Sequence, residues 1–181
     1  MILSGLGCVI FFYRYLIPPA QENSLRKFLD IIGIILVLAG YLLRISSRGV
    51  KAELNPDGKQ LVQKGPYALT RNPMYLGTLF IGMGFIAFLF RWWVSVIFLV
   101  IYLAIYIPQI KREEEKLSGF FGDVFREYCK KTPGFFPSLI KLVSTNPGAY
   151  LQIKQAWVKK ESPSFIATAV LMAGIKILIN L

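Results

Sequence analysis

Hydrophobic residues in this chain are concentrated in five long blocks that are separated by polar segments. The blocks occupy residues 1–17, 28–45, 75–90, 92–107 and 165–181. Each is close to the length that an α-helix needs to cross a hydrocarbon core of roughly 30 Å. The pattern therefore predicts an all-α protein, a polytopic membrane helical bundle of about five transmembrane helices.

The ends of the blocks refine this prediction. The first block carries Arg14 at its far end and lacks an A-x-A cleavage pattern, which favours a retained helix over a signal peptide. Little more than Arg91 separates the third and fourth blocks, which predicts an antiparallel helical hairpin. Lys176 lies inside the last block and is expected to snorkel or to face a protein partner.

Composition supports the membrane prediction. The chain of 181 residues is 55% hydrophobic and 17% charged, whereas soluble domains carry about 25% charged residues. The net charge of +11 would also suit a nucleic-acid partner. However, the Lys and Arg residues lie beside the apolar blocks, as in loops that face anionic head groups, so we predict a bilayer partner and no nucleic acid.

The distribution of basic residues predicts the orientation. Six Lys or Arg residues lie between Arg44 and Arg71, and ten lie between Lys111 and Lys160. The opposite side offers Arg14, near a helix end, and a few further basic residues: Arg26, Lys27 and Arg91. The positive-inside rule therefore predicts that both long polar segments, and the N-terminus, face the cytoplasm.

Residue counts exclude several kinds of chemistry. The chain has no His and two Cys, Cys8 and Cys129, without a CxxC motif. These counts exclude a cysteine-rich zinc site, a disulfide framework and every His-dependent nucleophilic triad, and we predict no metal. The remaining options are carboxylates, Lys, Arg, Tyr or a reactive cosubstrate.

Two polar segments carry candidate chemistry. The first runs from Lys59 through Gly65 and Tyr67 to Asn72-Pro73, which is a favourable helix start. It is either only a helix start or a site where the free amides of a helix N-terminus bind a carboxylate.

The second segment runs from Lys111 to Tyr128. Its apolar residues recur at helical spacing and predict an amphipathic helix that leaves the membrane at Pro108; they are Leu117, Phe121, Phe125 and Tyr128. The run Glu113-Glu114-Glu115 is either a solvated face balanced by neighbouring cations or part of a site.

Together the two segments resemble the isoprenylcysteine carboxyl methyltransferase and phospholipid methyltransferase family. The resemblance covers about residues 40–137. The first motif is matched at Leu61, Val62, Gly65, Tyr67, Arg71, Pro73, Tyr75 and Gly77, and the second at Glu113, Glu114, Leu117, Phe121, Gly122, Phe125 and Tyr128. Lys59 and Asn72 stand where the family pattern has His.

The resemblance implies an enzyme that uses S-adenosylmethionine, bound in a cytoplasmic pocket between the two segments. The cofactor-binding candidates carried over by position are Lys59, Gln60, Leu61, Val62, Tyr67, Asn72, Pro73, Met74, Tyr75 and Glu113. The catalytic candidates are Arg71, Gln109 and Glu114. Glu114 would act as a base if the acceptor is an amine. Gln109 occupies the place of an Arg that meets the substrate in prenylcysteine enzymes, and a neutral Gln does not pair with a carboxylate as Arg does.

The resulting prediction is a methyltransferase that acts on a lipid-borne or small hydrophobic acceptor. We expect N-terminal transmembrane helices over 1–45, a catalytic module over 46–137, and an amphipathic tail with a membrane helix over 138–181. Two alternatives stay open from the sequence: an NADPH-dependent sterol or lipid reductase, and a non-catalytic membrane scaffold. The acceptor atom, the role of the tail and the oligomeric state also stay open.

Overall fold

The computed structural model describes residues 15–17, 24–137 and 150–180. Over these ranges the secondary structure is helical, and no strand occurs. The helices are α1 (Ser24–Leu54), a 3-10 turn (Gly65–Ala68), α2 (Pro73–Leu89), α3 (Trp92–Phe121), α4 (Asp123–Lys131) and α5 (Gln155–Asn180). The prediction of an all-α fold is confirmed.

Three of these helices, α1, α3 and α5, are long and apolar enough to cross a membrane. Helix α2 is also apolar but has 17 residues, and it forms the predicted hairpin with α3. The structure therefore agrees with the predicted helical membrane bundle. Apart from residues 15–17, the first hydrophobic block lies outside the described residues.

The helices extend further than the hydrophobic blocks. Helix α1 continues nine residues past the second block to Leu54, and α5 begins at Gln155, well before the last block. Helix α3 continues through Pro108, the predicted point of exit from the membrane, and ends at Phe121. The amphipathic run from Leu117 to Tyr128 is therefore not the one helix that the spacing predicted: it is broken at Gly122, whose φ of +52° lies in the left-handed region that favours glycine.

Four glycines let α1 and α2 pack backbone against backbone. Gly33 lies against Gly84, and Gly40 lies against Gly77, so the two pairs repeat every seven residues on both helices. A Cβ atom on Gly40 would lie 2.6 Å from the Gly77 carbonyl oxygen, and one on Gly84 would lie 2.5 Å from the Gly33 carbonyl oxygen. Small residues of this kind allow the close approach that drives helix association in membranes.

Helix α5 packs antiparallel to α1, with polar contacts at three positions along the two helices. Near one end, Glu161 of α5 pairs with Arg48 of α1. In the middle, the Tyr41 hydroxyl lies 2.8 Å from the Thr168 hydroxyl. At the other end, Lys176 Nζ lies 2.7 Å from Asp30 Oδ2. The lysine inside the last hydrophobic block therefore faces a partner within its own chain, which is one of the two expected solutions.

Substitution of Asp30 by Asn tests this seam. Asp30 also pairs with Arg26 at 2.9 Å, so the variant leaves two cations without their carboxylate. We expect the free energy of unfolding in detergent to fall by about 1–2 kcal/mol, because an unpaired charge in an apolar environment is unfavourable. The double variant Asp30→Asn/Lys176→Met should regain part of the lost stability, as measured by thermal unfolding in detergent. An equal loss in both variants would contradict the role of the pair.

Candidate functional site

The two candidate segments meet through a bidentate ion pair between Arg71 and Glu114. Arg71 Nε and an η-nitrogen each donate to one oxygen of the Glu114 carboxylate at 2.9 Å. Arg71 lies just before α2, and Glu114 lies on the last turns of α3. Such fork-like pairs are among the stronger and more directional hydrogen bonds in proteins. This pair therefore fixes the distance between the start of α2 and the end of α3.

The loop after α4 completes the support of Arg71 and Asn72. The second η-nitrogen of Arg71 donates to the Thr132 carbonyl at 2.8 Å. Asn72 Nδ2 donates both to Glu114 Oε1 at 3.0 Å and to the Gly134 carbonyl at 2.8 Å. The Asn72 side chain therefore connects the segments instead of capping α2.

Glu113 makes a different contact from its neighbour. The Tyr75 hydroxyl donates to Glu113 Oε1 at 2.6 Å, and Gln109 hydrogen-bonds to the same hydroxyl. The Tyr102 hydroxyl of α3 donates to the Tyr75 carbonyl at 2.8 Å. These contacts draw the first turn of α2 onto the face of α3 that carries Gln109 and Glu113.

A cavity of about 220 Å³ lies between the segments. Its apolar lining comes from the loop before the 3-10 turn and from α3 and α4: Leu61, Val62, Leu117, Phe121 and Phe125. Its polar lining is Lys51, Asn55, Gln60, Tyr67, Arg71, Asn72, Glu114 and Tyr128, and Gly58 contributes backbone. The lining of this one cavity thus combines apolar side chains, two phenol rings and several polar or charged groups.

Two tyrosines close one side of this cavity. The Tyr128 hydroxyl donates to the Tyr67 carbonyl at 2.6 Å, which ties α4 to the 3-10 turn. Burial raises the pKa of both phenols above the ordinary value, and the Glu113 charge adds to the rise at Tyr67. Both rings are therefore neutral at physiological pH, and both line the cavity.

The charge of the ion pair is equally well defined. The hydrogen bonds to Glu114 raise the pKa of the Arg71 guanidinium, so Arg71 stays charged. Three donors from Arg71 and Asn72 occupy the Glu114 carboxylate. An oxygen already held in this way suits positioning better than proton transfer, which argues against the predicted base.

The candidate residues separate into three groups. Those that line the cavity are Gln60, Leu61, Val62, Tyr67, Arg71, Asn72 and Glu114. Those that contact each other at its edge are Tyr75, Gln109 and Glu113. Lys59 is exposed, Pro73 is buried at the start of α2, and Met74 lines a neighbouring cavity.

Sequence reasoning assigned no role to several residues of the site. Lys51 and Asn55 line the cavity from the end of α1, and the Asn55 side chain accepts a hydrogen bond from the Gln60 amide at 3.0 Å. Neither Asn55 nor Lys51 belongs to the two motifs, so the motifs provided no signal for them. Tyr128 belonged to the matched motif, which was the available signal for its role.

The donor set of the site fits an organic ligand better than a metal. Among the described residues, no group of three or more Cys, Asp or Glu side chains is placed to hold a metal ion. At the start of α2, the amides of Met74 and Tyr75 have no intrahelical acceptor, since the first intrahelical bond there joins the Leu76 amide to the Asn72 carbonyl. Free amides of this kind suit a carboxylate or another anion.

Comparison with known families identifies the module. A family model described as phospholipid methyltransferase matches residues 28–124, which is more than half of the chain. The match includes most of α1, the whole of α2 and α3, and the loop that lines the cavity. It ends before most of α4 and before the whole of α5.

Two curated proteins are each similar to less than half of the chain. One is the cobalt-zinc-cadmium resistance protein CzcN of Cupriavidus metallidurans, 34% identical over 79 residues, which are 44% of this chain and 36% of that protein. The other is the protein-S-isoprenylcysteine O-methyltransferase of Schizosaccharomyces pombe, 32% identical over 77 residues, 42% of this chain and 33% of that protein. The similarity thus spans about a third of the length of each relative. No solved structure matches the chain.

Proposed function

Because this chain belongs to the phospholipid methyltransferase family, we propose that it uses S-adenosylmethionine to methylate a lipid-borne or small hydrophobic acceptor. The observation that carries the proposal is the Arg71–Glu114 pair, which brings both family motifs to one cavity. The comparisons offer no support for the alternative of an NADPH-dependent reductase.

The cavity residues match the parts of the proposed cofactor. The apolar wall of Val62, Leu117 and Phe125 suits an adenine ring. The free amides at the start of α2, next to Asn72 of the cavity lining, suit the amino-acid carboxylate. The ring faces of Tyr67 and Tyr128 suit a sulfonium cation.

When bound, the cofactor supplies an activated methyl group, so the chain need not provide a nucleophile of its own. The residues of the site align the two partners and exclude water, which agrees with a chain without His. Arg71, Glu114 and Asn72 hold the start of α2 at a set distance from α3. In this mechanism Arg71 and Glu114 are positioning residues.

The acceptor is proposed to enter from the bilayer. Helices α1, α3 and α5 are apolar enough to span the membrane, and the site lies at the ends of α1 and α3. The excess of Lys and Arg in the same segments supports a cytoplasmic location. Gln109, bonded to Tyr75 at the edge of the site, is neutral and favours an acceptor other than a prenylcysteine carboxylate.

Two measurements on the purified full chain test the proposal. Calorimetry in detergent should show binding of S-adenosylmethionine and not of NADPH. Incubation with methyl-labelled cofactor and a membrane lipid extract should then yield a labelled lipid. Absence of cofactor binding would refute the proposed function, whereas binding with label only in small volatile products would refute the lipid acceptor.

A further inference from the structure

A second cavity, of about 420 Å³, lies beside the first. It is formed by the last turns of α1, the start of α2 at Met74 and the first turns of α5. Lys51 and Asn55 line both cavities, so the two are neighbours across the end of α1. The second cavity depends on α5, which lies outside the part of the chain that the family model matches.

Cationic side chains dominate the polar lining of this second cavity. Arg48, Lys51 and Lys160 line it together with a single carboxylate, that of Glu161. The Glu161 side chain is 3% exposed and is already paired with Arg48, with Arg44 Nε at 3.7 Å from its other oxygen. Lys51 and Lys160 therefore give the cavity an excess of positive charge, and this excess suits an anion.

The position of α5 at this cavity is set by Trp157 packing on Gly49. A Cβ atom on Gly49 would lie 1.9–2.4 Å from three atoms of the indole ring, so only glycine at this position allows the ring to pack here. Trp157 is 8% exposed and packs with Ile45, Val50 and Val62. Trp157 is thus a fixed part of the cavity lining, so its fluorescence is suited to detect a ligand bound in the cavity.

Exposed apolar side chains lie next to the cavity on both α1 and α5. On α1, Leu38 and Leu42 are 44% and 41% exposed just before the cavity begins. On α5, Ile166 and Val170 are 58% and 66% exposed just after Glu161. Both helices are candidate spans, and these exposed apolar side chains lie next in sequence to the charged residues that line the cavity.

We propose that this second cavity binds the phosphate group of an anionic membrane lipid. The phosphate is held by Arg48, Lys51 and Lys160, and the acyl chains lie along the exposed apolar faces of α1 and α5. A basic pocket between helices at the membrane surface is the kind of site that selects anionic head groups. The bound lipid is a ligand of the tail helix and not the methyl acceptor, so the inference does not depend on the proposed function.

Fluorescence of Trp157 provides the test. In the full chain with Trp92→Phe and Trp93→Phe, Trp157 is the remaining tryptophan. The protein is placed in nanodiscs of phosphatidylcholine with increasing phosphatidylglycerol, and either lipid carries bromine atoms high in its acyl chains as quenchers. We expect brominated phosphatidylglycerol to quench Trp157 at much lower mole fraction than brominated phosphatidylcholine.

Two matched variants locate the effect. Lys51→Gln/Lys160→Gln keeps the Arg48–Glu161 pair and should weaken the preference for phosphatidylglycerol roughly tenfold. Lys116→Gln/Lys159→Gln removes the same charge at exposed positions outside the cavity lining and should change it less than about twofold. Equal effects of the two variants would show general attraction to a basic protein and overturn the proposal.

A soluble anion distinguishes the source of the phosphate. Glycerol phosphate added to the nanodiscs should leave the quenching unchanged, because the acyl chains contribute to binding. Full competition by glycerol phosphate would overturn the lipid assignment in favour of a soluble ligand. Failure of S-adenosylmethionine binding would refute the proposed function and leave this result unaffected.

Discussion

Replacing Glu114 by Gln is expected to lower methyl transfer about a hundredfold while the protein stays folded in detergent. The Gln side chain has the same shape but replaces one acceptor oxygen by an NH2 group, so it cannot accept the two Arg71 donors side by side on separate oxygens. The start of α2 then loses its fixed distance from α3, and a misplacement of about 1 Å is costly in an alignment-based mechanism. Labelled-methyl turnover with lipid extract measures the loss, and calorimetry measures the affinity for the cofactor.

Glu115→Gln is the matched control. Glu115 is the next residue on α3, is exposed and undergoes the same change of charge. Its turnover should stay within about twofold of the unmodified chain. If the Glu114 and Glu115 variants lost activity equally, the effect would come from charge near the membrane surface and not from the ion pair. Undiminished turnover in Glu114→Gln would remove the positioning role.

Replacing Gly40 by Val is expected to destabilise the helix bundle by about 3 kcal/mol. The new side chain meets the Gly77 carbonyl at 2.6 Å and the Ile81 side chain at 2.7 Å, and a backbone carbonyl cannot move unless α2 moves as a whole. Helix α1 makes its most extensive interhelical contact with α2, so separation of the two exposes both. The unfolding temperature in detergent should fall by roughly 5–10 °C.

Gly174→Val controls for the change of residue type in a helix. Gly174 lies on α5, and a Cβ atom there meets nothing within 4 Å. Its unfolding temperature should differ little from that of the unmodified chain. A Gly40 variant as stable as the Gly174 variant would show that α1 and α2 do not require close backbone contact. Cofactor affinity should also fall in Gly40→Val, since α2 begins at the site.

The site was predictable in part because its residues cluster in two short motifs. Tyr67, Arg71 and Glu114 were identified from spacing and resemblance, and all three line one cavity. The partner of Arg71 was not predictable, because Glu113, Glu114 and Glu115 are consecutive residues of the same type and the sequence does not distinguish them. The turn of α3 decides that Glu114 faces Arg71 and that Glu113 faces Tyr75.

Local composition did not reveal where the amphipathic segment is broken. Helix α3 continues through Pro108, the predicted point of exit from the membrane, and ends at Phe121. The smooth spacing of Phe121 and Phe125 suggested one helix, yet Gly122 turns the chain between them. Helical periodicity does not detect such a turn, since a single glycine leaves the apolar pattern intact.

The sequence by itself determined the membrane class, the helical fold and the residues that we propose for the site. These follow from the length of the apolar blocks and from the types of side chain, which are local properties. The tertiary structure decided which glycines meet across α1 and α2, that Lys176 pairs with Asp30, and that α5 forms a second cavity with Trp157 on Gly49. These depend on helix rotation and register, and both are set by packing between residues far apart in the chain.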